Sequence, residues 1–161
     1  MKKAYDTTKT QSISGARIAI VQASWHKELT DRMVDASNRI LNDAECSDVD
    51  VFVVPGCYEI PLTAKKLAKL GKYDAIIVYG IIVKGETDHY DVILQTCIRE
   101  LGKVMHELET PIIMEILPVH DIKFAIARTE GEHNKGIEAA QAAIKLIALY
   151  REIEALERAT V

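Results

Sequence analysis

The sequence predicts an α/β fold in which helices cover both faces of a four-stranded parallel sheet. Short apolar runs rich in β-branched residues alternate with longer segments of helical period along the chain. Two of these runs are almost continuously apolar, which is typical of strands buried on both faces. The length of 161 residues suits one such domain. We therefore expect a single three-layer αβα sandwich.

The pattern predicts four strands and five helices. The strands comprise residues 17–22, 49–54, 74–79 and 111–117. The helices comprise an apolar stripe over residues 29–41, then residues 60–70, 91–108 and 121–127, and a long segment from residue 134 past residue 150. Thr30 or a neighbour is the expected cap of the first helix, and Gly71 ends the second. Strands that alternate with helices are joined by right-handed crossovers, so all four should run parallel.

The composition excludes several classes of protein. Twenty Lys and Arg against 24 Asp and Glu give a net charge of −4 with no basic block, so a nucleic-acid partner is not expected. No run approaches about 18 apolar residues, and the first residues lack the apolar stretch of a signal peptide, so a membrane partner is not expected either. Three cysteines without CxxC spacing suit the reduced thiols of a cytoplasmic protein.

The first 15 residues are polar and show no helical or strand period. They predict an N-terminal extension, residues 1–15, that precedes a single domain at residues 16–161. A frayed tail is the simplest interpretation. The alternative is an extended strand, because residues 6–14 are rich in threonine and long enough to lie against the open edge of an adjacent sheet.

Unusual residues follow the first two strands, at the edge where parallel sheets bind ligands. Trp25 lies in the loop after strand one, where its ring either packs in the core or stacks on a planar ligand. Pro55 and Gly56 force a turn after strand two and let the backbone approach a ligand. Glu59 follows near a helix start, where it either interacts with the macrodipole or holds ligand hydroxyls.

A loop after strand three predicts an anion site. Gly85 permits a tight turn, Thr87 adds a hydroxyl, and the N–H groups that open the next helix favour an anion. His89, at this helix start, is placed to move protons beside the anion, although a lone histidine is also common on surfaces. Arg128 suits bidentate phosphate binding as well as plain solvation. Met114, inside strand four, favours a core position over a site.

Several cofactor signatures are absent from the sequence. There is no GxGxxG after strand one, no GxxxxGKS or GxxxxGKT, no HExxH and no cluster of Cys and His. These absences argue against dinucleotide, P-loop nucleotide and metal sites. The residues alone therefore predict a cofactor-free site for a small phosphorylated ligand with a planar or polyol part.

Three motifs resemble the lumazine synthase family: VPGCYEIP at residues 54–61, KYDAIIVYGIIVKGETDHYD at residues 72–91, and AIAR followed by NKGIEAA within residues 125–140. The resemblance spans residues 17–149. It implies a flavodoxin-like sandwich whose sheet is extended by the N-terminal segment of a neighbouring subunit. The implied assembly is a homopentamer or a multiple of it. The implied reaction joins 5-amino-6-(D-ribitylamino)uracil to 3,4-dihydroxy-2-butanone 4-phosphate, releases phosphate and water, and uses no cofactor or metal. Riboflavin synthase is the implied protein partner.

The resemblance also implies roles for single residues. His89 matches the catalytic histidine, Trp25 the ring that stacks on the pyrimidine, and Glu86 with Thr87 the phosphate loop. The positions that match the ribityl-binding segment or the strand end that reads the uracil edge are Cys57, Tyr58, Glu59, Ile81, Ile82 and Val83. The positions implied to come from the neighbouring subunit are Met114 in the ring pocket, the phosphate-binding Arg128 and the charged Lys135, with Glu138 as a second charged position near the site.

The sequence departs from the family pattern at a few positions. Trp25 and Met114 replace a usual phenylalanine and a usual aromatic residue, and Ser24 replaces a common arginine. The stretch 129–133 is one residue shorter, with Glu132 where a lysine often stands. Two other functions stay open: a related flavin-binding or shell protein with little catalysis, and an unrelated flavodoxin-like signalling module.

Overall fold

The computed structural model describes residues 11–161, which form a four-stranded, all-parallel sheet. The strands are β1 (Arg17–Ala23), β2 (Asp48–Val54), β3 (Ala75–Val83) and β4 (Ile112–Val119). Their order across the sheet is β2-β1-β3-β4, so that β1 and β3 are central and β2 and β4 are the edges. The predicted α/β class with a parallel sheet is confirmed.

Five α-helices surround the sheet in this part of the chain. They are α1 (Lys27–Asp43), α2 (Ile60–Lys69), α3 (His89–Leu108), α4 (Ile122–Ala127) and α5 (Lys135–Ala159). Short 3-10 turns at Cys57–Glu59 and Gly131–His133 precede α2 and α5. No helix among residues 11–161 combines the length and the apolar character that a membrane span requires.

Two hydrophobic cores hold the three layers together. On one face of the sheet, Ile20 and Ile77 pack with side chains of α1 and α5. On the other face, Val21 and Val78 pack with side chains of α2 and α3. Successive residues of a strand point to opposite faces, so the central strands supply both cores and are largely apolar.

The start of α5 is fixed against α1 at Gly136. A Cβ atom on this glycine would lie 2.1 Å from the Met33 carbonyl oxygen, so no larger residue fits without a shift of the backbone. The Gly136 carbonyl accepts a hydrogen bond of 2.9 Å from the Ser37 hydroxyl, which also contacts the buried hydroxyl of Tyr79 in β3. These contacts set the position of α5 relative to the sheet.

The third strand is longer than the sequence predicted. β3 continues through residues 80–83, which pair with residues 116–119 of β4 where a loop was expected. Gly80 does not break the strand but gives room to the neighbouring turn, since a Cβ atom there would lie 2.4 Å from the Cys57 sulfur. Helix α3 begins at His89, two residues earlier than predicted.

The predicted cap of α1 is wrong. The helix begins at Lys27, after His26, whose φ of 57° lies in the left-handed region. Thr30 is buried inside the first turn, and its hydroxyl lies 3.3 Å from the Ala23 carbonyl oxygen and 2.9 Å from the Gln22 amide. Thr30 therefore attaches α1 to the end of β1 instead of capping the helix.

The end of the N-terminal extension belongs to the core. Ile13 is fully buried, and its N–H donates to the Ala44 carbonyl at 2.9 Å. The frayed-tail interpretation does not hold at this residue, because one apolar side chain in a polar stretch is enough to anchor it. Residues 1–10 lie outside the described residues, and with them most of the segment 6–14 that was predicted as an extended strand.

Candidate functional site

A cavity of about 630 Å³ opens at the carboxyl ends of β1, β2 and β3. The predicted site residues that line it, which we call the pocket cluster, are Trp25, Cys57, Tyr58, Glu59, Ile81, Ile82, Val83 and His89. They come from three strand ends and from the start of α3. The order β2-β1-β3 places those strand ends side by side, as expected for ligand sites in parallel sheets.

Trp25 stands at the mouth of the cavity and not in the core, since it is 70% exposed. Just before it, the Ser24 N–H donates to the Val54 carbonyl at 2.8 Å and joins the ends of β1 and β2. The left-handed His26 then turns the chain into α1. An exposed indole held in this way offers a flat face on which a planar ring can stack.

Glu59 is held in the cavity by the turn that precedes it. Its Oε2 accepts from the Gly56 N–H at 2.9 Å, and its own N–H donates to the Gly56 carbonyl at 3.3 Å. A Cβ atom on Gly56 would lie 3.2 Å from Glu59 Oε2 and 3.5 Å from the Trp25 ring, so glycine keeps the three groups close. Among the described residues only Gly56 donates to this carboxylate, which leaves Oε1 to accept from ligand hydroxyls.

Cys57 forms a wall of the cavity. It is buried, and burial raises the pKa of its thiol to about 12. The Cys97 thiol donates to the Cys57 carbonyl at 3.2 Å and fixes the turn from below. A thiol that resists ionisation is a poor nucleophile, which suits a residue that forms a cavity wall.

The loop between β3 and α3 carries the predicted phosphate residues. Glu86 and Thr87 are exposed in this loop, shortly before His89, the first residue of α3. The His89 N–H donates to the Thr87 hydroxyl at 3.4 Å, and the Asp88 side chain forms no cap bond. The start of a 20-residue helix therefore offers N–H groups to an anion beside an exposed imidazole.

Contacts with the end of β4 fix the base of this loop. The Lys84 N–H donates to the Val119 carbonyl at 2.8 Å, which extends the β3–β4 pairing by one residue. The Tyr90 ring stacks on His120 with centroids 6.3 Å apart, and the Lys84 ammonium lies 5.8 Å from the same Tyr90 ring. These contacts anchor Lys84 and Tyr90, which lie before and after His89 in the sequence.

The remaining predicted residues lie away from the cavity. Met114 pairs with Val78 in the β3–β4 register, three residues before the position that pairs with Ile81. Because a strand rises about 3.3 Å per residue, Met114 lies about 10 Å along the sheet from the cavity wall at Ile81. Arg128 follows α4 and is exposed, and its guanidinium donates to the Phe124 carbonyl at 3.0 Å.

Lys135 and Glu138 lie in the first turn of α5 and form an ion pair of 2.6 Å. Helix α5 packs on the face of the sheet opposite α2 and α3. We call Met114, Arg128, Lys135 and Glu138, together with Glu115 of β4, the β4–α5 cluster; Glu115 lies on the α5 face of β4 and Met114 on the opposite face. No member of this cluster lines the described cavity of its own chain. One chain therefore separates the predicted site residues into two groups.

The sequence analysis missed three residues near these groups. His26 and Ile93 also line the cavity, and both were within reach, because His26 directly follows Trp25 and Ile93 lies one helical turn after His89. Glu115 is half-buried in β4, where burial raises the pKa of its carboxyl to about 7. Its signal was a single charged residue inside the apolar run 111–117.

The polar side chains that line the cavity are the Tyr58 hydroxyl, the Glu59 carboxylate and the imidazoles of His26 and His89. Such groups can accept hydrogen bonds from a polyol and can carry protons to and from a reacting centre. Among residues 11–161, no three His, Cys, Asp or Glu side chains come together in a way that could hold a metal ion.

Comparison with known proteins gives matches over most of the chain. The sequence model of the family 6,7-dimethyl-8-ribityllumazine synthase matches residues 15–151. A 6,7-dimethyl-8-ribityllumazine synthase of Xylella fastidiosa (strain 9a5c) is 38% identical over 143 residues, which cover 87% of this chain and 93% of that protein. The family match begins before β1 and ends within α5, so it includes both the pocket cluster and the β4–α5 cluster.

Proposed function

Because the chain belongs to the 6,7-dimethyl-8-ribityllumazine synthase family, we propose that it condenses 5-amino-6-(D-ribitylamino)uracil with 3,4-dihydroxy-2-butanone 4-phosphate and releases phosphate and water. Membership of this family makes the chain an enzyme, a transferase of riboflavin biosynthesis. The observation that carries the proposal is the pocket cluster, in which a stacking ring, a carboxylate and an imidazole beside an anion loop line one cavity.

The first substrate binds across the ends of β1, β2 and β3. The exposed Trp25 ring stacks on the pyrimidine, and the free oxygen of Glu59 accepts from the ribityl hydroxyls. Cys57 and Tyr58 complete the ribityl side of the cavity. The backbone of residues 81–83, at the end of β3, faces the cavity and hydrogen-bonds to the uracil edge.

The second substrate binds with its phosphate at the loop before α3. The Thr87 hydroxyl, the Glu86 backbone and the N–H groups at the start of the helix hold the anion. His89 then carries protons during amine attack on the ketone, loss of phosphate and ring closure. One positioned imidazole contributes about 10²–10⁴-fold, and most of the remaining acceleration comes from holding the two substrates in register.

A second copy of the chain completes the site. Next to the cavity lies a groove of about 610 Å³ that is lined by α2, α3 and the end of β2, and Tyr58 and Glu59 line both. Beside this groove Leu62 is exposed, and on the opposite edge of the domain Met114 and Phe124 are exposed as well. A head-to-tail contact would bury these apolar side chains and bring the β4–α5 cluster of one copy to the cavity of the next.

In this composite site Arg128 of the neighbour binds the phosphate, and the neighbour's Lys135 adds positive charge beside it. The ion pair with Glu138 holds the Lys135 side chain, and Met114 closes the ring pocket. Repetition of the head-to-tail contact gives a closed ring. Five subunits, or a multiple of five, is the number that the family resemblance implies.

The cellular setting is the cytoplasm. Cys46, Cys57 and Cys97 are free and buried, which suits a compartment where thiols stay reduced. Riboflavin synthase, which would consume the lumazine product, is the proposed protein partner.

Strand β2 forms an open edge of the sheet. This edge is the proposed binding site for the first residues of a neighbouring copy.

The test is to mix the purified protein with both substrates and to follow lumazine absorbance. We expect product that requires both substrates and no added metal or cofactor. Correctly folded protein that forms no product would refute the enzymatic proposal. If that protein still quenched the fluorescence of an added flavin, the flavin-binding or shell function would replace it.

A further inference from the structure

Glu115 is a carboxylate that the mechanism above does not use. Its neighbours on the same face of β4, Ile113 and Leu117, pack in the core with α5 residues such as Ala139. The next residue along the strand, Ile116, packs on the opposite face with α2 and α3. The alternation of a strand therefore directs Glu115 towards α5, where it is half-buried.

Three ionisable groups face Glu115. From α5, Lys135 and Glu138 form their 2.6 Å ion pair, with the Lys135 side chain only 28% exposed. From β3, Tyr79 is the register partner of Glu115, and its hydroxyl contacts Ser37. The charged residue of α4, Lys123, pairs with Asp121, and α3 packs on the other face of the sheet.

The electrostatic balance at Glu115 depends on the Lys135–Glu138 pair. Burial raises the pKa of Glu115 to about 7, the Lys135 charge lowers it and the Glu138 charge raises it. The Lys135 ammonium group is thus ion-paired with Glu138 and at the same time attracts the Glu115 carboxylate through space.

We propose that Glu115 is a positioning residue for Lys135: it competes with Glu138 for the ammonium group and so sets the net charge that the β4–α5 cluster presents to the phosphate of the second substrate. The role in phosphate binding rests on the proposed function. When Glu115 is protonated, Lys135 and Glu138 together are neutral. When Glu115 is ionised, the three groups carry a net charge of −1, which repels an anionic substrate.

The first test measures the competition itself, without substrate. Carbon-13 NMR follows the titration of the Glu115 carboxyl in the wild type, in Lys135→Met and in Glu138→Gln. We expect the midpoint to rise in Lys135→Met, which loses the attraction, and to fall in Glu138→Gln, which loses the repulsion. Glu154→Gln, at an exposed position later in α5, is the control and leaves the midpoint unchanged. Midpoints that agree in all four proteins would overturn the proposal.

The second test asks whether the competition reaches the substrate. Steady-state kinetics between pH 6 and pH 8 give the KM of each substrate for the wild type and for Glu115→Gln. As the pH increases from 6 to 8, we expect the KM of the butanone phosphate to rise about threefold to tenfold more in the wild type than in the variant. The KM of the ribityl substrate should follow the same pH profile in both proteins. The titration of the substrate phosphate is common to both and cancels in the comparison.

The outcomes separate the two proposals. A wild type that forms no lumazine refutes the proposed function, while the NMR titration still decides whether Glu115 competes for Lys135. Active proteins with parallel pH profiles for the butanone phosphate refute the positioning role. If Glu115→Gln does not fold, Glu115→Met keeps the length of the side chain without its charge and takes its place in the kinetic test.

Discussion

The pocket cluster and the β4–α5 cluster differ in how much of their environment one chain supplies. In the pocket cluster, Gly56 holds Glu59, the Thr87 hydroxyl accepts from the first N–H of α3, and Cys57 packs against Gly80. In the β4–α5 cluster, Met114 and Arg128 are exposed at the edge of the sheet. One chain therefore lines the cavity by itself, whereas Arg128, the proposed phosphate-binding residue, is exposed outside that cavity.

The largest expected effect lies in the pocket cluster. Replacement of the imidazole by His89→Ala should lower turnover by about tenfold to a thousandfold and leave substrate binding largely intact, because proton transfer is lost while the cavity stays in place. Steady-state kinetics with both substrates measures this. The control is His133→Ala, an exposed histidine outside the cavity. Wild-type turnover in folded His89→Ala protein would remove the imidazole from the mechanism.

The next effect lies in the β4–α5 cluster and should concern one of the two substrates, the butanone phosphate. Arg128→Ala is expected to raise the KM of the butanone phosphate by roughly tenfold to a hundredfold, since loss of a charge-assisted contact costs about 1.5–3 kcal/mol. The KM of the ribityl substrate should change much less. Arg158→Ala, exposed near the end of α5, is the matched control. Equal changes for both substrates would mean that Arg128 does not recognise the phosphate.

A third effect concerns stability within the β4–α5 cluster. The pKa of Glu115 is raised from 4.5 to about 7, so the folded chain binds this proton more tightly than the unfolded chain. Wild-type stability should therefore fall as the pH rises through this range, and Glu115→Gln should remove that fall. We expect the variant to gain about 3 kcal/mol relative to the wild type between pH 4 and pH 8. Denaturant unfolding at fixed protein concentration measures the difference, and a constant offset at all pH values would contradict the assignment.

The smallest expected effect is spectroscopic. Trp25 is the one tryptophan of the sequence and is 70% exposed at the cavity mouth. Binding of a ribityl-substituted pyrimidine should quench its fluorescence, because stacking changes the surroundings of the indole. Trp25→Phe keeps an aromatic face but has no tryptophan fluorescence, so it shows which part of the emission change comes from Trp25. An unchanged emission spectrum at saturating ligand would mean that the ring does not contact the pyrimidine.

Local sequence pattern explains the position of the pocket cluster better than that of the β4–α5 cluster, for a physical reason. Trp25, Glu59 and His89 follow strands β1, β2 and β3 directly, and the topology of a parallel sheet brings those strand ends together. The placement of Met114 depends on strand register, and that of Lys135 on which face α5 covers. Neither property is encoded in local sequence pattern.

Other differences come from interactions that a local pattern does not show. Thr30 resembles a helix cap in sequence, yet the buried Gln22 amide beside it makes its hydroxyl a core contact. Gly80 resembles the end of a strand, yet β4 continues to pair beyond it. Ile13 lies in a polar stretch, yet its N–H bonds to the Ala44 carbonyl and its side chain belongs to the core on the α1 and α5 face. In each case a distant partner decides the conformation.

Subunit mixing tests directly whether the pocket cluster of one chain and the β4–α5 cluster of the adjacent chain form one active site. His89→Ala and Arg128→Ala proteins are unfolded, combined in equal amounts and refolded together. If each site takes His89 from one chain and Arg128 from the next, random assembly should give about one quarter of the wild-type sites. When the butanone phosphate is kept well below the KM of the Arg128→Ala protein, so that both variants are impaired, the mixture should then exceed the mean activity of the two variants refolded separately. A mixture whose activity only equals that mean would show that each chain carries its own complete site.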